Sequence, residues 1–180
     1  MPEELGPFSA SVVAVRRASG AARIVARQLM VQLGHPRCAV PKAPSGAPVW
    51  PKGIVGSLSH DSRVAVAAVA PRQDNVALGI DVEPAEPLPA EILELVATAR
   101  ERQRMADDPF DGRLLFAAKE AVYKAVYPLD QTFLDYHDIQ ISLADRKAVA
   151  PSGRAIDLRF CTSSHVVALA FVPGSEGSKS

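Results

Sequence analysis

The sequence predicts an α+β fold built from two similar halves, and three observations predict it. A helical apolar stripe opens the ordered part of the chain, short β-branched runs bounded by turn residues follow it, and the same order recurs after a proline-rich break. The first helix is predicted over 16–33, with Ile24, Val25, Leu29 and Leu33 as its apolar stripe and Arg16, Arg17, Arg23 and Arg27 along the other side. Gly34 follows as a C-terminal stop, because glycine adopts the left-handed conformation without strain. The stretch "HPRCAVPKAPSGAPVWPKG" at 35–53 carries five prolines and predicts a long loop. Then "IVGSLSH", "VAVAAVA" and "VALGIDVE" read as three strands.

The run "EPAEPLP" at 83–89 breaks the pattern, so the halves are expected at 1–84 and 85–180. In the second half, 90–106 and 111–127 read as helices, and "YHDIQISL", "IDLRF" and "HVVALAFV" as three more strands, with "SEGSKS" a flexible tail. Each half thus runs helix then strands. No sequence repeat accompanies that order.

Composition narrows the function. At 180 residues the chain can bury a substantial core. Twenty Lys+Arg balance twenty Asp+Glu, which argues against non-specific nucleic-acid binding by a strongly basic surface and leaves room for a local basic cluster. The longest apolar run, "VAVAAVA", is too short to cross a bilayer, and the N-terminal stretch lacks the basic and apolar regions of a secretory leader. Cys38 and Cys161 match no metal-ligand spacing. A cytoplasmic protein that contacts neither nucleic acid nor membrane is the expectation.

Three clusters carry chemistry, and a diffuse fourth, Arg16, Arg23 and Lys42, reads either as ordinary surface charge or as phosphate clamps. In "GIDVE", Asp81 and Glu83 sit at i and i+2 of a strand and therefore face one side, with Ile80 and Val82 on the other. Adjacent carboxylates repel unless a cation compensates, so the pair reads either as a polar strand end or as a hard-cation site. In "GSLSH", Ser57, Ser59 and His60 gather hydroxyls and an imidazole at a strand end, a group suited to phosphate or an ordinary strand edge. No G-x-S-x-G elbow or Walker-type loop is present. In "LLFAAKEAVYKAVYP", Lys119, Glu120 and Lys124 interrupt an apolar helix. Glu120 and Lys124 read as an i,i+4 surface pair, or else Glu120 reads as a further oxygen ligand or general base, with Lys119 and Lys124 holding phosphate charge.

Together, "W-P-x-G-x-x-G-S-L-S-H", "G-I-D-V-E-P" and "F-A-A-K-E-A-V-Y-K-A", in this order, resemble the 4′-phosphopantetheinyl transferases. The resemblance is to the larger, enterobactin-synthesis-like type of siderophore, nonribosomal-peptide and polyketide pathways, and it spans about residues 15–172. It implies halves related by a pseudo-two-fold, each a helix on a small, mainly antiparallel sheet, with the substrate between them. It implies transfer of 4′-phosphopantetheine from coenzyme A to a serine of an acyl or peptidyl carrier protein, by a monomer. Asp81, Glu83 and Glu120 would surround Mg²⁺, and Glu120 and Lys124 would act in catalysis. Ser59, His60, Lys119, Arg16, Arg23 and Lys42 would hold coenzyme A. The chain departs from the pattern in having "GAP" at 46–48 where many relatives have Gly-Lys-Pro, and in a short stretch before "VRRASG". A non-catalytic coenzyme A or carrier-protein binder is the alternative, and a different Mg²⁺-dependent phosphoryl enzyme is a more distant one.

Overall fold

The computed structural model describes residues 7–106 and 108–174. The tail expected at 175–180 lies outside the described residues. Helix α1 (Pro7–Gln32) leads into a long loop and a hairpin of β1 (Ile54–His60) and β2 (Ala65–Pro71). Strand β3 (Asn75–Pro84), the short helices α2 (Ala90–Val96) and α3 (Ala99–Arg104) and the long helix α4 (Asp111–Asp130) come next. A 3₁₀ turn (Tyr136–Asp138) and strands β4 (Gln140–Ser142), β5 (Lys147–Val149), β6 (Ala155–Thr162) and β7 (His165–Pro173) complete the chain. The fold is α+β with antiparallel sheets, as the sequence predicts.

The two halves are unequal, and β3 is the reason. The sequence groups it with β1 and β2, but its backbone ladder runs antiparallel to β7, in a five-stranded sheet of order β3-β7-β6-β5-β4. Among the described residues, strands β1 and β2 pair only with each other. The hydrogen-bonded division therefore falls in the β2–β3 turn rather than after residue 84. Strand β5, which the sequence did not announce, extends this sheet between β4 and β6.

Helix α1 also buries a different face from the one predicted. Ala22, Ala26 and Met30 are fully buried, whereas Ile24 and Leu33 are 48% and 43% exposed. Alanines at i and i+4 let the helix lie close on the hairpin, and Met30 one turn further fills the contact, so that Ala26 and Met30 meet Ile54, Leu58, Ala67 and Val69. Gly34 does end the helix region, at φ +80°, with His35 N–H donating to Met30 O at 2.9 Å.

The predicted helix 90–106 breaks in two. Ala97 is extended, and Thr98 caps α3 in a reciprocal capping box with Glu101. Helix α4 is the main packing element of the second half. Ala117, Ala118, Ala121, Val122, Ala125 and Val126 are all fully buried in one cluster with Ile156, Leu158, Val166, Ala168 and Ala170 of the sheet. A Cβ at Gly79 would stand 1.8 Å from Ala121 O. Only glycine lets α4 sit this low on β3, and that seating sets the height of every α4 side chain over the strand that carries Asp81.

Candidate active site

The i, i+2 reading of "GIDVE" holds in three dimensions. Asp81 and Glu83 both meet α4: Asp81 Oδ1 accepts from Lys124 Nζ at 2.7 Å, and Glu83 Oε2 accepts from Arg113 Nη1 at 3.2 Å. From the other side, Ser59 Oγ at the end of β1 donates to the same Asp81 Oδ1 at 2.7 Å. Lys124 also reaches Ser59 Oγ at 3.2 Å and Ile80 O at 3.3 Å. Ser59 and Lys124 thus join the hairpin to the second half through one carboxylate oxygen.

The other oxygen of that carboxylate is unusual. Asp81 is 4% exposed, and its Oδ2 is buried without a hydrogen-bond partner. A buried anionic oxygen left without a donor is costly, so the position suits a cation. Burial and the Asp81 charge push the Glu83 carboxyl above its ordinary range, with Arg113 opposing them. Among the described residues no three His, Cys, Asp or Glu side chains converge closely enough to hold a metal ion unaided. Mg²⁺ does not need three, since it commonly binds one or two carboxylates with water and substrate phosphate. The orphan Asp81 oxygen and the neighbouring Glu83 fit that donor set.

Glu120 has a partner of its own. Its Oε1 accepts from Tyr136 OH at 2.7 Å. Tyr123 lines both a cleft of about 520 Å³ that contains Lys124 and a second of about 320 Å³ that contains Glu120. The two clefts therefore adjoin along α4. The larger is walled by the 45–48 loop, Trp50, the middle of β1, the start of β3 and the second half of α4.

One of the predicted coenzyme A contacts is corrected. Lys119 is fully buried, and its Nζ donates to Val96 O, Glu101 Oε2 and Tyr136 O, each at 2.8 Å. All three ammonium protons are engaged inside the protein, so none is left for phosphate. Arg23 is half-buried, donating through Nε to Val40 O at 3.0 Å and through Nη1 to Ser19 Oγ at 2.5 Å. It ties α1 to the long loop. Arg16 and Lys42 are exposed, and neither lines the larger cleft. His60 is half-buried at the end of β1. Beside it, Asp61 Oδ2 lies 2.9 Å from His165 Nε2 of β7, an ion-pair distance without hydrogen-bond alignment.

The residues that sequence reasoning missed are Arg72, a cation in the wall of the larger cleft, and Arg113, Tyr136 and Glu101. The S/T-x-x-E box of Thr98 and Glu101 was the one available sequence signal, and it marked a helix start rather than a partner for Lys119.

Comparison with known proteins decides the family. A model of the 4′-phosphopantetheinyl transferase N-terminal domain matches residues 3–70, and one of the 4′-phosphopantetheinyl transferase superfamily matches residues 77–171. The chain belongs to the 4′-phosphopantetheinyl transferase superfamily. The gap between the two matches, residues 71–76, contains the β2–β3 turn, where the sheets also divide. Among similar proteins, the 4′-phosphopantetheinyl transferase Npt of Nocardia iowensis is 39% identical over 84% of this chain and 70% of its own. The 4′-phosphopantetheinyl transferase Svp of Streptomyces mobaraensis is 35% identical over 98% of this chain and 72% of its own. The 4′-phosphopantetheinyl transferase PptT of Mycobacterium tuberculosis is 37% identical over 79% of this chain and 64% of its own.

As a phosphopantetheinyl transferase the protein is an enzyme that acts on carrier proteins. No helix among its described residues is long and apolar enough to cross a membrane.

Proposed function

We propose that this transferase moves the 4′-phosphopantetheine group of coenzyme A onto a serine hydroxyl of an acyl or peptidyl carrier protein, with Mg²⁺. The serine oxygen forms a bond to phosphorus, the pyrophosphate P–O bond breaks, and adenosine 3′,5′-bisphosphate leaves. The observation that carries this reading is the unpartnered, buried Oδ2 of Asp81 beside Glu83, at the seam between the two halves. Coenzyme A is long enough to lie across that seam.

Mg²⁺, when bound, supplies positive charge that stabilises the phosphoryl oxygens and the leaving group. Asp81 and Glu83 would hold it, with Glu120 as a further ligand or as the base that takes the serine proton. With Oε1 already accepting from Tyr136, Glu120 has its second oxygen for that proton. Lys124, tethered to Asp81 and Ser59, supplies a positive charge at the edge of the larger cleft. His60 stands where β1 ends and would meet a phosphate of coenzyme A, while Ser59, whose hydroxyl proton goes to Asp81 Oδ1, would hold that carboxylate. A cytoplasmic monomer is part of the same proposal.

Mass spectrometry of an apo carrier protein incubated with this protein, coenzyme A and Mg²⁺ tests it. A gain of the phosphopantetheine mass is expected. Coenzyme A binding without any mass gain would instead identify a non-catalytic binder.

A further inference from the structure

Lys119 is adjacent to Glu120 and fully buried, yet the proposed chemistry gives it no task. Its partner Glu101 is equally complete: Oε2 also accepts from Thr98 N–H at 2.8 Å and Thr98 Oγ1 at 2.9 Å, and Oε1 accepts from Ile141 N–H at 2.9 Å. Such a pair is a poor way to add stability, because apolar residues of the same volume often do as well or better. What it does add is register. Lys119 joins α4 to the end of α2 through Val96 O, to α3 through Glu101 and to the 3₁₀ turn through Tyr136 O. Tyr136 is held a second time by Asp135 Oδ1, which accepts from its N–H at 2.6 Å. Its ring lies 5.8 Å from that of Phe116, one turn of α4 before Glu120. With backbone and ring both seated, the hydroxyl reaches Glu120 Oε1 at 2.7 Å.

We propose that Tyr136 is a positioning residue for Glu120, and that the buried Lys119–Glu101 pair sets Tyr136 in place for that task. The inference rests on the reading of Glu120 as a residue that touches the reacting atoms. Tyr136 directs one carboxylate oxygen into the protein and leaves the other for the cleft.

The test has a spectroscopic and a kinetic arm. The chain has three tyrosines, so ¹³Cζ-tyrosine labelling gives three resonances, and loss of one in Tyr136→Phe assigns it. That resonance is expected to move in Glu120→Gln and again in Lys119→Met. In the transfer assay Tyr136→Phe is expected to lower kcat by about 10- to 100-fold, the loss of one hydrogen bond to a charged group, while KM for coenzyme A stays within about twofold. The double variant Lys119→Met/Tyr136→Phe should lose no more than Tyr136→Phe alone, because both act through one route. If Lys119→Met does not fold, Glu101→Gln, which loosens the same ammonium, is expected to move the resonance. An unmoved Tyr136 resonance in the folded pair variant, or wild-type kcat in Tyr136→Phe, overturns the inference. Wild-type protein that transfers no phosphopantetheine overturns the proposed function instead, and the resonance shifts then still decide whether the pair places Tyr136.

Discussion

Two lysines five residues apart on α4 have opposite fates. Lys119 is fully exposed to protein and not at all to solvent, with its three donors matched by three acceptors. The Lys124 side chain is 29% exposed and contacts a carboxylate that retains an unpartnered buried oxygen. Around Lys119 every polar group is satisfied, as a structural ion pair requires. Around Lys124 the accounts of donors and acceptors do not balance, and imbalance of that kind marks a place where something else binds. The contrast extends to the acids. Glu101 accepts four hydrogen bonds, whereas Glu83 is burdened by burial and by the charge of Asp81.

The sharpest way to break this contrast is Asp81→Ala. Transfer is expected to fall by at least about 10²–10³-fold, the range seen when one preorganised charge-stabilising group is lost. The thermal midpoint should change little, because Lys124 is open enough to hydrate. A variant with wild-type turnover at saturating Mg²⁺ would remove Asp81 from the metal site.

Next in size is Lys119→Ala. It leaves the Glu101 carboxylate buried without its cation and is expected to cost about 3–5 kcal/mol in denaturant unfolding. Lys119→Met, close in volume and uncharged, should cost less than the alanine variant if the volume, and not only the charge, fills the site. Equal losses would mean that the unpaired carboxylate dominates.

Lys124→Met should fall between the two in kind. Denaturant midpoints are expected to stay near wild type, while transfer drops by about 10- to 100-fold through loss of a charged hydrogen-bonding partner. Unfolding of this variant under assay conditions would place Lys124 with Lys119 as a structural residue.

The smallest effect separates the acids by pH. In Glu101, burial raises the carboxyl, but the donors from Lys119, Thr98 and Ile141 outweigh it and hold it below 4.5. The unfolded state then binds the proton more readily, so this stabilisation is present above the unfolded value and is lost as pH falls through the folded one. Glu83 has the reverse sign. Its raised folded value means that ionising it opposes folding as pH rises past 4.5. Glu101→Gln should therefore flatten the acid limb of the stability profile. Glu83→Gln should gain about 0.5 kcal/mol or less near neutral pH, the scale of changes outside the core. Denaturant midpoints measured from pH 3 to 7 decide it, and two variants with the same pH profile would erase the distinction.

Much of the site was legible in the residues themselves. A strand has period two, so "GIDVE" alone placed Asp81 and Glu83 on one face, and both meet α4. The helix over 111–127 was legible from its alanine-rich apolar spacing and runs three residues further, to a left-handed Gln131 after Pro128. The face of α1 was misread because hydrophobic periodicity favours bulky residues, while close contact with a hairpin favours Ala22 and Ala26.

By itself the sequence determined the order of elements, the shared face of Asp81 and Glu83, and the motifs that resemble one transferase family. These depend on local periodicity and on residue types, which a chain carries before it folds. Tertiary structure decided that β3 joins β7, because strand pairing is a long-range choice made by competing edges. It also decided the fates of Lys119 and Lys124. A lysine in an apolar helix has the same local pattern whether solvent, phosphate or a buried carboxylate neutralises it. The answer for Lys119 stood 18 residues away at Glu101, and for Lys124 it stood 43 residues away at Asp81.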